Sequence, residues 1–195
     1  VEIIPAEIKP PARSREGASG NRIRVGSTNM TNAGDKANIV VALNEQVIYG
    51  RVAQDAYGPE TTILLENVWA TDPDVNIRES YTAALADFSA RGFNVIELPI
   101  HEACSELMTD PRLGKNIFVL GILCYIHQRD VELAKQEIAQ IFAKKGEKII
   151  TTNQKLLAAG VKFAEKHIPF IYTIPSMDIP DDRVVMNGNV AVGLG

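Results

Sequence analysis

The chain has 195 residues, of which 46% are hydrophobic, enough to bury one good core with some length left over for a linker or part of a second unit. Its formal net charge of −4 and pI near 5.4 argue against nucleic acid as the main partner, because a phosphate backbone calls for a basic face. No apolar run reaches membrane-spanning length and no signal pattern opens the chain, so a cytoplasmic protein with no membrane partner is expected.

In chain order, Val1 to Ile4 reads as a short strand and Pro5 to Gly20 as a loop, from its Pro, Gly and Ser content. Asn21 to Ser27 alternates, with Ile23 and Val25 facing one way and Arg22 and Arg24 the other, which predicts a half-exposed strand. Asn29 to Asp35 is a turn. The run Asn38 to Asn44 is continuously apolar between polar ends, the pattern of a strand buried on both faces. Glu45 to Tyr57 reads as a helix ended by Gly58-Pro59, and Thr61 to Glu66 as the next strand. Asp72-Pro73 starts an amphipathic helix that runs to Ala90 and closes at Arg91-Gly92, followed by a strand from Phe93 to Leu98. Strand and helix alternating at this spacing imply right-handed crossovers and an α/β fold with a mainly parallel sheet and flanking helices.

Ile100 to Leu107 is a short helix, and a loop then leads to three helices between Gly114 and Glu165. Asn116 to Ile126 is apolar on every face after its first residue, so that helix should be packed on all sides. Val131 to Lys144 is amphipathic and should lie on a surface, with Lys144, Lys145 and Gly146 supplying cations and a glycine for its end. The third helix spans about Ile149 to Lys166 and carries Leu156, Leu157, Val161 and Phe163. From Pro169 the prolines and aspartates of residues 169–182 make an extended tether.

Cys104 and Cys124 are not in a Cys-x-x-Cys arrangement and cannot supply the four thiolates of an iron-sulfur cluster, and three scattered histidines make no local metal motif. No catalytic constellation is visible: there is no nucleophile elbow, Walker loop or His-Glu-x-x-His. The one local chemical feature is the stretch from Lys9 to Arg22. Between Pro5 and Arg24, five basic residues stand against Glu7 and Glu16. Cations beside Gly17-Ala18-Ser19-Gly20 are what a phosphate or pyrophosphate would select. The competing reading is a solvated loop whose arginines pair with nearby carboxylates or a partner subunit.

Four signatures in fixed order carry a resemblance to a known family: Asn116 to Gly121, the Arg129-Asp130 turn, the helix ending Phe142-Ala143-Lys144-Lys145-Gly146-Glu147-Lys148, and Asn153-Gln154-Lys155-Leu156-Leu157-Ala158-Ala159-Gly160. The chain resembles the gamma domain of 2-oxoacid:ferredoxin oxidoreductases, thiamine-diphosphate, coenzyme A and iron-sulfur enzymes that oxidise 2-oxoacids. Residues 183–195 are similar to the opening of the next domain, which binds the pyrimidine side of thiamine diphosphate. Val190 stands where the family usually has an acid, and no cofactor contact is carried over to this end. The order looks like alpha subunits of the 2-oxoglutarate type. The resemblance thus implies a gamma-like domain over 1–168, a linker over 169–182 and the start of a pyrimidine-binding domain over 183–195. It also implies that a first sheet strand and a glycine-rich turn would precede Val1.

In that family the gamma domain is implicated in holding coenzyme A, which the resemblance carries to Lys9, Arg13, Ser14, Ser19, Gly20, Asn21 and Arg22. Asn44 joins them because it ends a strand at the carboxyl edge of the sheet, although it is equally suited to cap the helix that follows. Thiamine diphosphate, magnesium and an iron-sulfur cluster are expected only in the full complex, with a thiamine-binding beta subunit, the rest of the alpha subunit and ferredoxin as partners. The piece alone should be inactive, since thiamine carries the bond cleavage. A subunit-interaction module without a ligand and a nucleotide- or sugar-phosphate-binding α/β domain are the other two readings.

Overall fold

The computed structural model describes residues 20–26, 32, 34–174 and 192–193, together with the backbone of 2–8. Two sheets are present. Strands β1 (Glu2–Ile8) and β2 (Gly20–Gly26) form an antiparallel ribbon whose register runs from Glu2 opposite Gly26 to Ile8 opposite Gly20. Strands β3 (Ala37–Ala42), β4 (Tyr57–Glu66) and β5 (Asn94–Leu98) form a parallel sheet in the order β3-β4-β5. The helices are α1 (Gln46–Val52), α2 (Val75–Ala90), α3 (Ile100–Ser105), α4 (Lys115–Ile126), α5 (Val131–Ile141) and α6 (Glu147–His167). Short 3-10 turns occupy Val68–Thr71, Pro111–Leu113 and Ala143–Lys145.

The parallel α/β sheet expected from the alternation of elements is therefore borne out, and β4 is its centre. Successive side chains of a strand point to opposite faces. Ile63 and Leu65 pack with Ile48 of α1 and Tyr81, Ala84 and Phe88 of α2. Leu64 faces the other way, onto Ile100, Phe118, Ile122 and Leu156 of the helical layer. A strand buried on both faces reads as an unbroken apolar run for this reason.

The helical layer follows the sequence pattern closely. Helix α4 turns Phe118, Ile122 and Ile126 to the sheet-side core and Cys124 to a smaller cluster with Ile138 of α5 and Leu157 of α6. Leu120, 37% exposed, departs from the expectation of a helix packed all round. Helix α5 opens on Asp130, whose carboxylate accepts from Glu132 N at 2.8 Å and Leu133 N at 3.1 Å, two of the amides a helix start leaves without internal partners. Asp130→Ala should cost about 1 kcal/mol of stability, read as a lower urea midpoint at unchanged slope. Gly146, with φ +88°, separates α5 from α6 in a region that side chains disfavour.

Three local readings are corrected. Pro5 to Gly20 is not all loop: β1 continues through Pro5 to Ile8 and β2 begins at Gly20. A two-stranded ribbon is all edge, where proline is tolerated. Within β2, the expected half-exposed strand with its arginines on one face is found: Ile23 is 63% exposed, while Arg22 and Arg24 are half-covered because their guanidinium groups lie against Asn32 and Gly34. Among the described residues the strand at 38–44 pairs with β4 alone and buries only Ala42, with β4 taking the central place assigned to it. The helix read over Glu45 to Tyr57 stops at Val52. Asp55 then takes φ +52°, Ala56 N returns to Arg51 O at 3.1 Å, and Tyr57 already belongs to β4.

Candidate functional site

The period of two along β2 places Arg22 and Arg24 on one face of the ribbon. Arg22 Nη2 donates to the carbonyl of Gly34, and Arg24 Nη1 donates to the carbonyl of Asn32, at 3.1 Å, and to its Oδ1. Asn32 Oδ1 also accepts from Gly34 N at 2.8 Å, closing a tight turn around the two guanidinium groups. Gly34 is required there: its φ is +75°, and a Cβ would meet Arg24 Cδ at 3.3 Å. These acceptors are neutral carbonyl and amide oxygens. A guanidinium carries five donors, so such contacts orient it without cancelling its charge.

Of the residues singled out in the sequence, Gly20, Asn21 and Arg22 lie consecutively at the start of β2, with Asn21 exposed and Arg22 half-buried. Lys9, Arg13, Ser14 and Ser19 fall outside the described residues. Asn44 lies elsewhere, beyond the carboxyl end of β3. Its Oδ1 accepts from Gln46 N at 2.6 Å, which ties it into the first turn of α1. The N-cap position itself is Glu45, so Asn44 makes this bond from one residue ahead of the cap.

The carboxyl edge of the sheet, where open α/β folds bind ligands, holds a polar cluster that the sequence reading missed. Glu66 ends β4 fully buried. One carboxylate oxygen accepts from Lys115 Nζ at 2.6 Å, the other from Val68 N at 3.3 Å and His101 N at 3.2 Å. Glu45 is buried beside the start of α1, with Oε1 accepting from Gln46 Nε2 at 3.0 Å. Trp69 Nε1 donates to Leu43 O at 2.9 Å, so the 3-10 turn covers the end of β3. Tyr81 OH donates to Glu97 at 2.7 Å, and burial together with that carboxylate raises the phenol far above its ordinary pKa. A visible signal existed for one pair: Glu66 ends an apolar strand and Lys115 begins an apolar helix, so each charge must be placed where its neighbours are buried.

This cluster is suited to holding elements together rather than to chemistry, because Lys115 is already neutralised by Glu66. Nor does Cys104 offer a nucleophile, since burial pushes its thiol up to about 11. Among the described residues no group of three His, Cys, Asp or Glu is placed to hold a metal, and no helix is long and apolar enough to cross a membrane.

No family model matches the chain. It is 27% identical, over 98% of its length, to the 2-oxoglutarate oxidoreductase subunit KorA of Mycobacterium tuberculosis. The chain spans 30% of the length of that curated relative. Among solved structures it is similar in fold to a 2-oxoglutarate:ferredoxin oxidoreductase from Magnetococcus marinus with 2-oxoglutarate, coenzyme A and succinyl-CoA bound. The TM-score is 0.72 at 22% identity, covering 98% of this chain and 31% of the other. It is also similar to the gamma subunit of a keto/oxoacid ferredoxin oxidoreductase from Geobacter sulfurreducens, with a TM-score of 0.53 at 14% identity over 85% of this chain and 81% of that one. The resemblance to 2-oxoacid:ferredoxin oxidoreductases read from the sequence is borne out by these relatives.

Proposed function

We propose that this chain is the gamma-type part of a 2-oxoacid:ferredoxin oxidoreductase alpha subunit, with 2-oxoglutarate as the favoured substrate, and that it helps hold coenzyme A while the complex converts the 2-oxoacid to an acyl-CoA. The supporting observation is the likeness along nearly its whole length to a 2-oxoglutarate oxidoreductase subunit. The similar structure from Magnetococcus is one with coenzyme A and succinyl-CoA bound. The gamma-like body would occupy 1–168, with 169–182 as linker and 183–195 opening the pyrimidine-binding domain. Thiamine diphosphate with magnesium, on other parts of the complex, would supply the carbon–carbon cleavage, and iron-sulfur clusters would pass electrons to ferredoxin. The thiamine-binding beta subunit and the remainder of the alpha subunit are the expected partners.

The chain's own contribution is anion binding. Arg22 and Arg24 share one face and spend donors on neutral oxygens, an arrangement that fits the phosphates of coenzyme A. Lys9, Arg13, Ser14 and Ser19, with Gly20 and Asn21, are the further residues that the family resemblance offers for phosphate contact. The residues would orient the carrier's phosphates so that its thiol reaches the thiamine site on the neighbouring part.

Calorimetric titration of coenzyme A into the full complex tests this. Arg22→Ala should weaken binding roughly tenfold or more, the loss expected for a hydrogen bond to a charged group. Equal affinity in the parent and the variant would remove Arg22 from the site. A second reading, docking of subunits without a ligand, draws on the exposed Leu133 (54%) and Ile141 (70%) on α5. It predicts that Arg22→Ala leaves turnover unharmed while Leu133→Glu releases the partner subunit.

A further inference from the structure

Beyond α6 the chain does not leave the body at once. Ile168 is buried and Phe170 packs against the sheet-side core, which anchors residues 168–170 along the helical layer. The next residues pair with the far end of α4. Tyr172 N donates to Ile126 O at 2.7 Å, satisfying one of the last carbonyls of α4, which have no partner within the helix. His127, the residue that ends α4, has its Nδ1 2.9 Å from Tyr172 O. A carbonyl can only accept, so that nitrogen carries the proton and donates.

The two bonds run in opposite directions between 126–127 and Tyr172, which fixes a single register. The rings of His127 and Tyr172 meet edge to face with centroids 6.1 Å apart, and Arg129 Nη1 lies 3.5 Å from Ile174 O. Apolar anchor, paired backbone and ring contact follow one another along seven residues. A tether that served only as slack would need none of them.

We propose that residues 169–174 form a strap, closed by His127 and Tyr172, that fixes the heading at which the chain departs from this body. Its purpose is positional: whatever follows residue 174 starts from one point and direction.

The test uses the full chain and three forms: parent, His127→Ala and His127→Asn. The asparagine amide nitrogen occupies the place of Nδ1 and retains the donor. Hydrogen exchange at the Tyr172 amide should be slow in the parent, at least tenfold faster in His127→Ala and slow again in His127→Asn. Spin labels at exposed Glu137 on α5 and exposed Thr173 should report a narrow distance distribution that broadens only in the alanine form. Both native cysteines are buried, so labelling is confined to the introduced sites. Exchange and distance distributions that are the same in the parent and His127→Ala would overturn the proposal, as would a Tyr172 amide that exchanges freely in the parent.

Discussion

Gly160→Ala and Gly121→Ala should each abolish soluble expression or lower stability by about 3 kcal/mol or more, the upper range for forcing volume into a filled interior. Helices α4 and α6 cross where these two glycines face each other. A Cβ on Gly121 would overlap the carbonyl oxygen of Leu157 and lie 2.9 Å from Val161 N and 3.0 Å from Gly160 Cα. One on Gly160 would overlap the carbonyl oxygen of Phe118 and lie 3.1 Å from Gly121 Cα. The obstacles are backbone atoms of the opposite helix, so no rotamer change relieves them. The helices would have to move apart, and Phe118, Ile122, Leu156 and Ala164 would lose their packing together. Urea unfolding of the soluble variants checks the size of the effect. Gly50→Ala is the control: nothing lies within 4 Å of its Cβ position, and removing a mid-helix glycine from α1 should be neutral or stabilising. Parent-like stability of both crossing-point variants would show that the helices are not pressed together as described.

That crossing also shows where the sequence was legible and where it was not. The Asn116–Ile126 and Ile149–Lys166 stretches announced two helices by period and composition, and both formed with nearly the expected ends. Gly121 and Gly160 stood inside them without any sign that they meet, because a glycine's lack of volume matters only once a neighbour is in place. The same holds for the sheet. Apolar runs marked β3, β4 and β5, but centre and edge are properties of pairing, so 38–44 read as buried on both faces although among the described residues it pairs with β4 alone. At the candidate site, local charge excess drew attention to Arg22. The contact of Arg22 and Arg24 with Asn32 and Gly34 joins residues 12 and 8 positions apart, which alternation within one strand does not encode. Asn44 was ambiguous in sequence for a physical reason: a strand end and a helix start coincide at the carboxyl edge, and its bond to Gln46 N ties it to that helix start from one residue ahead of the Glu45 cap.

Lys115→Met should cost about 3–5 kcal/mol, the loss expected when one partner of a buried ion pair is removed and the other charge is left behind. Glu66 is 0% exposed and the Lys115 side chain 10%, so water screens little of the attraction and cannot easily replace it. Glu66→Gln should be comparably severe, now stranding the ammonium, even though its amide oxygen can still accept from Val68 N and His101 N. The double variant Glu66→Gln, Lys115→Met decides between a charge pair and two independent packing sites. With both charges gone, the glutamine still serves the two backbone donors and the methionine fills the lysine's stem, so the double variant should be more stable than either single one. Denaturant melts of all four proteins give the coupling directly. If the two costs simply add, the pair is not what joins the end of β4 to the starts of α3 and α4. A large coupling would mean that one carboxylate at the end of the central strand sets where two helices begin, and with them the form of the carboxyl edge of the sheet.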